Sequence, residues 1–368
     1  MKIGTFFSGV GSPEQAIKNL GIKHEVEFAC DIDKYAKQTY LKNFQPKLFA
    51  EDITTLNMKE LPAVDLLVFG FPCQAFSVAG KRKGFDDTRG TLFYDALRYL
   101  REHRPRYFIA ENVKGLLNHD KGKTFQTIID CLAKTINYQM SLMPFDNLGY
   151  HIHYKVLNTK DYGIPQNRER IFIIGIRDDE DNNYRFPKEI PLELKLKDSL
   201  QDNVDEKYYL SDKTIAKIKG YDKTSEWIAD YRADEGLRIR KDNISPCLMA
   251  RAREDITATP IVSVAIRDKN RSKHQTKKDK EYGDYKKNYQ IEERTDNVSY
   301  CIKQSTQEFM IKNNINNRIR RLTPIECERL QGFPDNFTDG VSDTQRYKQM
   351  GNTITVNVIQ GIIKNLYG

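Results

Sequence analysis

The sequence has no pair of cysteines two residues apart and no cysteine–histidine cluster with the spacing of zinc ligands. Its six cysteines, Cys30, Cys73, Cys131, Cys247, Cys301 and Cys327, are scattered. That predicts free thiols, a reducing compartment and no metal site. No apolar run reaches the roughly 18 residues of a membrane-spanning helix, so no membrane partner is expected. The start, Met1-Lys2-Ile3-Gly4-Thr5-Phe6-Phe7, enters a strand pattern at once and lacks a leader's layout, so the expected location is the cytoplasm. Between Arg267 and Gln290 there is no Leu, Ile or Val. A stretch without aliphatic residues cannot bury a face of its own, which makes it an exposed loop or ribbon. It carries Arg267, Lys269, Arg271, Lys273, Lys277, Lys278, Lys280, Lys286 and Lys287, with Tyr282, Tyr285 and Tyr289 interleaved. Two readings stay open for it, a solvated insertion or a contact with a nucleic-acid backbone.

What is present is an ordinary globular composition. Of 368 residues, 30% are charged and 39% hydrophobic, enough for one large domain and a smaller one. The formal net charge of +8 fits a polyanionic partner without requiring one.

Strand and helix patterns alternate over the first half. Strands are predicted at Lys2 to Phe7, Glu25 to Cys30, Val64 to Phe69, Tyr107 to Ala110, His151 to Leu157 and Arg170 to Ile176. Helices are predicted at Glu14 to Leu20, Lys34 to Asn43, Leu92 to Glu102 and Thr124 to Asn137. The expected fold class is α/β, a doubly wound, mostly parallel sheet. The polar run Asp178-Asp179-Glu180-Asp181-Asn182-Asn183 marks a boundary. Beyond it the segments are short, and a second, smaller, irregular domain is expected. Two stretches there echo each other, Asp242 to Leu248 and Asp296 to Ile302. Helix and turn signals return from Arg320 onward.

Cys73 follows the apolar run Val64 to Phe69 and the turn Gly70-Phe71-Pro72. Gly ends the strand, and Pro72 holds Phe71 extended. Cys73 therefore sits past a strand's carboxyl end, where open α/β sheets bind ligands. It reads as a nucleophilic thiolate or as a small buried apolar residue. Gly9 and Gly11 permit close approach by a ligand after the first strand. Asp31 stands about 20 residues on, at the distance of a ribose-binding carboxylate. Asp52 can accept a bond from an adenine amino group, with Ile32 and Ile53 flanking the base. A dinucleotide turn needs a third glycine, and Glu14 occupies its place. An adenosine without phosphates fits better. Cys73, Glu111, Arg168 and Arg170 all fall at predicted strand ends. They form either a catalytic set or, for Glu111 and the arginines, a structural ion-pair network.

Together these stretches resemble the DNA (cytosine-5)-methyltransferases of bacterial and phage type. The carriers are Phe7-Ser8-Gly9-Val10-Gly11, Asp31-Ile32-Asp33-Lys34-Tyr35-Ala36, Glu51-Asp52-Ile53-Thr54 and Gly70-Phe71-Pro72-Cys73-Gln74-Ala75-Phe76-Ser77. Further on come Asp87 to Phe93, Glu111-Asn112-Val113, Tyr162 to Arg170, Arg321-Leu322-Thr323-Pro324, Leu330 to Pro334 and Gly351-Asn352-Thr353. The resemblance implies an S-adenosylmethionine-dependent methyltransferase fold. It implies a catalytic domain of 1–180 with 341–368 and a target-recognition domain of 181–340. It implies that S-adenosylmethionine, leaving as S-adenosylhomocysteine, lies against Phe7, Gly9, Val10, Gly11, Asp31, Ile32, Asp52, Ile53, Pro72, Leu92, Asn352 and Ile354. Cys73, Glu111, Arg168 and Arg170 are the implied catalytic residues, acting on a cytosine flipped from double-stranded DNA. Gln74, Ser77, Lys81, Arg82, Arg89, Arg251 and Arg253 are the implied DNA contacts. A monomer, and a cognate restriction endonuclease as functional partner, are the further expectations. The rival readings are a tRNA cytosine-5 methyltransferase of the same fold, a DNA-binding protein without catalysis, and a nicotinamide-dependent oxidoreductase. Many family members have an acid two residues before Phe7, whereas this chain has Thr5. The recognition region offers only Cys247-Leu248 or Cys301-Ile302 for the family's Thr-Leu pair.

Overall fold

The apolar runs of the first half become strands at Lys2–Phe6 (β1), Glu25–Cys30 (β2), Leu48–Ala50 (β3), Leu66–Gly70 (β4) and Tyr107–Val113 (β5). They continue at Ala133–Ile136 (β6), Gln139–Met140 (β7), Tyr150–Asn158 (β8), Gln166–Asn167 (β9) and Glu169–Arg177 (β10). The helices among them are Ser12–Asn19 (α1), Lys34–Asn43 (α2), Leu92–His103 (α3) and Lys123–Leu132 (α4). This computed structural model describes residues 1–72, 92–140, 147–209 and 318–367, with strands at 228–232, 236–244, 247–249, 265–266, 292–306 and 310–313 described by their backbone.

One sheet has the order β3-β2-β1-β4-β5-β10-β8-β6-β7. β1 pairs in parallel with β2 and β4, β2 with β3, β4 with β5 and β6 with β8. β10 runs antiparallel to β5. The sheet is thus the expected mostly parallel, doubly wound one. Its strand order reverses between β1 and β4, and a switch of this kind opens a crevice at the strands' carboxyl ends.

Burial explains the run of apolar residues in β4, where Leu66, Leu67, Val68 and Phe69 are all buried. A parallel strand covered on both faces has no polar side to show. Phe6, Phe28 and Tyr99 meet with ring centroids 5.1–5.5 Å apart, which fixes α3 against β1 and β2. Asp33 caps α2 by accepting from the amides of Tyr35 and Ala36.

One expected helix is shorter than the sequence pattern suggests. α4 ends at Leu132, and the next residues turn into β6, where Thr135 and Ile136 pair with His151 and Ile152 of β8. β-branched residues are stiff in a helix and pack well on a pleated sheet, so the sheet edge wins.

The chain packs as two units. The first comprises Met1–Leu157, Glu169–Lys188 and Val358–Gly368, and the second Asn158–Arg168 and Glu189–Asn357. In the second unit lie Ile228–Arg232 (β11), Gly236–Ile244 (β12), Cys247–Met249 (β13), Ala265–Ile266 (β14), Glu292–Thr306 (β15), Met310–Asn313 (β16) and Arg318–Arg321 (β17). Pro324–Arg329 (α5) and Asp343–Asn352 (α6) follow, and Val356–Tyr367 (α7) begins there and ends in the first unit. The two echoing stretches lie side by side in parallel. Asn243 pairs with Asn297, Ile244 with Val298 and Cys247 with Cys301. Among the described residues no helix is long and apolar enough to cross a membrane, and no group of side chains is arranged to hold a metal ion.

Candidate active site

β1 ends in a turn with three left-handed residues, Phe7 (φ 53°), Gly9 (φ 54°) and Gly11 (φ 91°). A Cβ on Gly11 would lie 2.4 Å from the Phe44 ring, so only glycine fits. A Cβ on Gly9 would meet nothing within 4 Å, so space opens beside that backbone. The amides of both glycines are already used. Gly9 N–H donates to Asp31 Oδ2 at 2.8 Å, and Gly11 N–H donates to the Ser8 carbonyl at 3.0 Å. An anion cradle needs such amides free and convergent, and these two are not free. Asp31 Oδ1 accepts from the Asp33 amide at 2.8 Å. The Cys30 amide donates to Ser8 Oγ at 2.9 Å, tying the ends of β1 and β2 together.

Glu14, at the place of the missing third glycine, is fully enclosed. Tyr40 Oη–H donates to its Oε1 at 2.6 Å and Thr5 Oγ1–H at 3.1 Å. Burial pushes its carboxyl above the ordinary range, and these hydrogen bonds offset the shift only in part. Asp52 behaves in the opposite way. It caps a short 3₁₀ turn, Ile53–Thr55, and Oδ1 accepts from the Thr54 amide (2.9 Å) and hydroxyl (2.8 Å). Those bonds hold its carboxyl below the ordinary range. Ile32 is 78% exposed beside Asp31, while Ile53 is 4% exposed and belongs to the buried apolar cluster that includes Phe71 and Phe93. A large aliphatic side chain bared next to a fixed carboxylate is the pattern of a ligand-facing wall. Val10 is buried, and Leu92, the first residue of α3, packs part-buried on the same core.

A second group of residues gathers at the ends of β4, β5 and β10. Register places Glu111 beside Gly70, and Val113 beside Arg170. Arg170 Nε lies 3.1 Å from Glu111 Oε1. Burial pulls the Arg170 guanidinium below its ordinary value, and Glu111 opposes that pull. Asn112, on the other face of β5, is 3% exposed, and its Nδ2–H donates to the Phe71 carbonyl at 2.9 Å. It therefore fixes the turn that leads through the exposed Pro72 to Cys73. The sequence named Asn112 only as part of a motif. Strand alternation, which turns Asn112 away from Glu111, was the signal for a separate job. Cys73, Gln74, Ser77, Lys81, Arg82, Arg89, Arg251 and Arg253 lie outside the described residues, as does the basic stretch 267–290.

In the second unit, Arg168 is 3% exposed. It donates from Nη1 to the Gly351 carbonyl at 3.2 Å and from Nη2 to that of Thr353 at 2.7 Å. Asn352, between those carbonyls, is exposed, and Ile354 is nearly buried. Gln166 donates to the Leu330 carbonyl, and Gln331 donates to that of Met350 at 2.6 Å. Thr355 donates to Gln331 Oε1 at 2.7 Å. Arg168 and Arg170, two residues apart in sequence, thus take different partners, a backbone turn for one and Glu111 for the other.

A family model described as C-5 cytosine-specific DNA methylase matches residues 1–368. The type II methyltransferase M.Bsp6I of Bacillus sp. (strain RFL6) is 34% identical over 376 residues, spanning 100% of this chain and 98% of that protein. The orphan methyltransferase M.SPRI of Bacillus phage SPR is 32% identical over 439 residues, spanning 100% of this chain and 97% of that protein. Among solved structures, the methyltransferase EhMeth of Entamoeba histolytica superposes with a TM-score of 0.62 at 20% identity, over 100% of this chain and 98% of its own, and shares the fold.

Proposed function

The chain belongs to the C-5 cytosine-specific DNA methylase family, and from that premise we propose that it methylates carbon 5 of a cytosine flipped out of double-stranded DNA, through a temporary covalent bond to Cys73. It is a DNA (cytosine-5)-methyltransferase. The observation that carries the mechanism is the Glu111–Arg170 pair at 3.1 Å, on strand ends next to Gly70 and three residues before Cys73.

The chemistry follows from those groups. The Cys73 thiolate forms a bond to carbon 6 of the ring. Glu111 holds a proton at ring nitrogen 3, which draws electron density and makes that addition favourable. Arg170 orients the carbonyl oxygen and keeps Glu111 in place. Carbon 5 is then nucleophilic and gains the methyl group. A base takes the carbon-5 proton, and the carbon–sulfur bond breaks to restore the ring and the thiolate.

The methyl donor implied by the family is S-adenosylmethionine, which supplies an electrophilic methyl group on a sulfonium. The first unit fits its nucleoside. Asp31 is placed to accept from ribose hydroxyls, and the ionised Asp52 from the adenine amino group. Ile32 offers an uncovered apolar face to the base, Gly9 leaves room, and Phe7, Val10, Gly11, Ile53, Pro72 and Leu92 complete this part of the wall. Asn352 and Ile354 are the proposed contribution of the C-terminal segment. The division of labour proposed is catalysis by 1–180 with 341–368 and target recognition by 181–340. Gln74, Ser77, Lys81, Arg82 and Arg89 near the active site, and Arg251 and Arg253 in the recognition part, are the proposed DNA contacts. The likeness to type II methyltransferases supports a modification role beside a restriction endonuclease; a monomer is the proposed working state.

The test is trapping. With S-adenosylmethionine and duplex DNA carrying 5-fluorocytosine at the target, the protein should give an adduct stable to denaturation. Cys73→Ala should give none while still binding DNA. An adduct formed by Cys73→Ala would remove Cys73 as the nucleophile. Bisulfite sequencing of DNA from expressing cells reads the target.

A further inference from the structure

The chain between β3 and β4 carries Asp52. It is built from two short 3₁₀ turns, Ile53–Thr55 and Met58–Glu60. Besides the bonds within these turns, such as Leu56 N–H to the Ile53 carbonyl at 3.4 Å, its carbonyls are held by α3. Arg98 Nη2–H donates to the Ile53 carbonyl at 3.1 Å and Nη1–H to that of Leu56 at 3.3 Å. Further along α3, Tyr99 Oη–H donates to the Pro62 carbonyl at 2.6 Å, and His103 Nε2 pairs with that of Met58 at 2.6 Å. The guanidinium is itself oriented by Asp95, one turn back on the helix, at 2.9 Å.

We propose that Arg98 is a positioning residue for recognition of the donor's adenine, holding the Asp52–Leu56 turn so that the Asp52 carboxylate meets the exocyclic amino group. The proposal rests on the reading of Asp52 as the adenine's partner. Both carbonyls that Arg98 takes lie in the turn that Asp52 caps, so the angle of that carboxylate depends on where Arg98 holds its backbone. Tyr99 and His103 bind further along, at Pro62 and Met58 respectively, and cannot replace the grip at Ile53. Planarity matters, because one guanidinium reaches two carbonyls and a carboxylate at once, which an ammonium cannot do in the same geometry.

The experiment compares S-adenosylhomocysteine with S-inosylhomocysteine, in which a carbonyl oxygen replaces the adenine amino group. Each is titrated calorimetrically into the full-length chain without DNA. The wild type should prefer the adenosyl ligand by about tenfold or more, the worth of a charge-assisted hydrogen bond. Asp52→Asn should erase that preference. Arg98→Ala, and Arg98→Met, which keeps the stem but not the donors, should each weaken adenosyl binding about tenfold and cut the preference to within about threefold. Arg98→Lys should fall between. If Asp52→Asn keeps the full preference, the adenine reading itself fails. If Asp52→Asn erases it while Arg98→Met keeps it, Arg98 has no part in base recognition. Equal weakening of both ligands by Arg98→Met, with the ratio intact, would show a purely structural role and overturn the proposal.

Discussion

The strand-end turns of the first unit and the Gln166–Arg168 segment of the second both gather polar side chains, but they leave them in opposite states. In the first unit the groups are fixed but only partly covered. Asp52 uses Oδ1 on Thr54, and Ile32 stands 78% exposed. In the second unit Gln166, Arg168, Gln331 and Thr355 are all buried, and each is tied to backbone or to a neighbouring side chain. A buried polar group without a partner costs about 1–3 kcal/mol. The inner network is therefore held by that penalty, whereas the outer groups can await a ligand because water serves them meanwhile. Membership of a family motif does not say which state a residue is in; exposure and partners do.

The largest effect should come from breaking the inner network. Arg168→Met removes the bonds that the guanidinium gives to the carbonyls of Gly351 and Thr353 in the interior. A loss of about 2–5 kcal/mol is expected, read as a lower denaturation midpoint in urea. An unchanged midpoint would place Arg168 with the ligand-facing residues instead. Next comes a pair of glycines in one turn. Gly11→Ala meets both a left-handed φ of 91° and the Phe44 ring at 2.4 Å. It should destabilise by about 2–4 kcal/mol. Gly9→Ala meets only the left-handed φ of 54° and should cost about 1 kcal/mol. Its methyl group fills the open space, so donor affinity should fall more than stability does. Similar losses of both for the two variants would erase the distinction between a packed and a ligand-facing glycine.

Much of this was legible in the residues. β2 and α2 fall where their patterns put them, because Glu25 to Cys30 reads as a strand and Asp33 caps the helix after it. Gly9 and Asp31 stood out by their spacing after two predicted strands, and the structure joins them by a hydrogen bond of 2.8 Å. What the sequence hid was long-range. Nothing local says that Arg98 reaches back 45 residues to the Ile53 carbonyl, or that Arg168 reaches forward 185 to Thr353. Side chains that bond to backbone far along the chain leave no periodicity, and an arginine on a helix looks like any solvated face. The β3 strand was missed since it is three residues long and half-exposed, too short for alternation to register. β6 was read as helix because α4 before it has a strong apolar stripe that continues through Ala133 and Ile136.

The smallest effect compares two carboxylates in the first unit. Asp52 is held below the ordinary range by Thr54, while burial pushes Glu14 above it. A group with a raised folded-state value binds its proton more tightly folded than unfolded. Its contribution to stability is therefore complete below the unfolded value of 4.5 and is lost as pH rises through the raised one. Glu14→Gln removes that titration while keeping an acceptor for Tyr40 and Thr5. Wild type should lose stability relative to Glu14→Gln as pH climbs from 4.5, by about 1.4 kcal/mol for each pH unit that the value is raised. Urea midpoints for both proteins across that range measure the difference. Parallel curves would mean that Glu14 is ionised in the fold, and that the enclosed carboxyl belongs with Asp52 rather than opposite it.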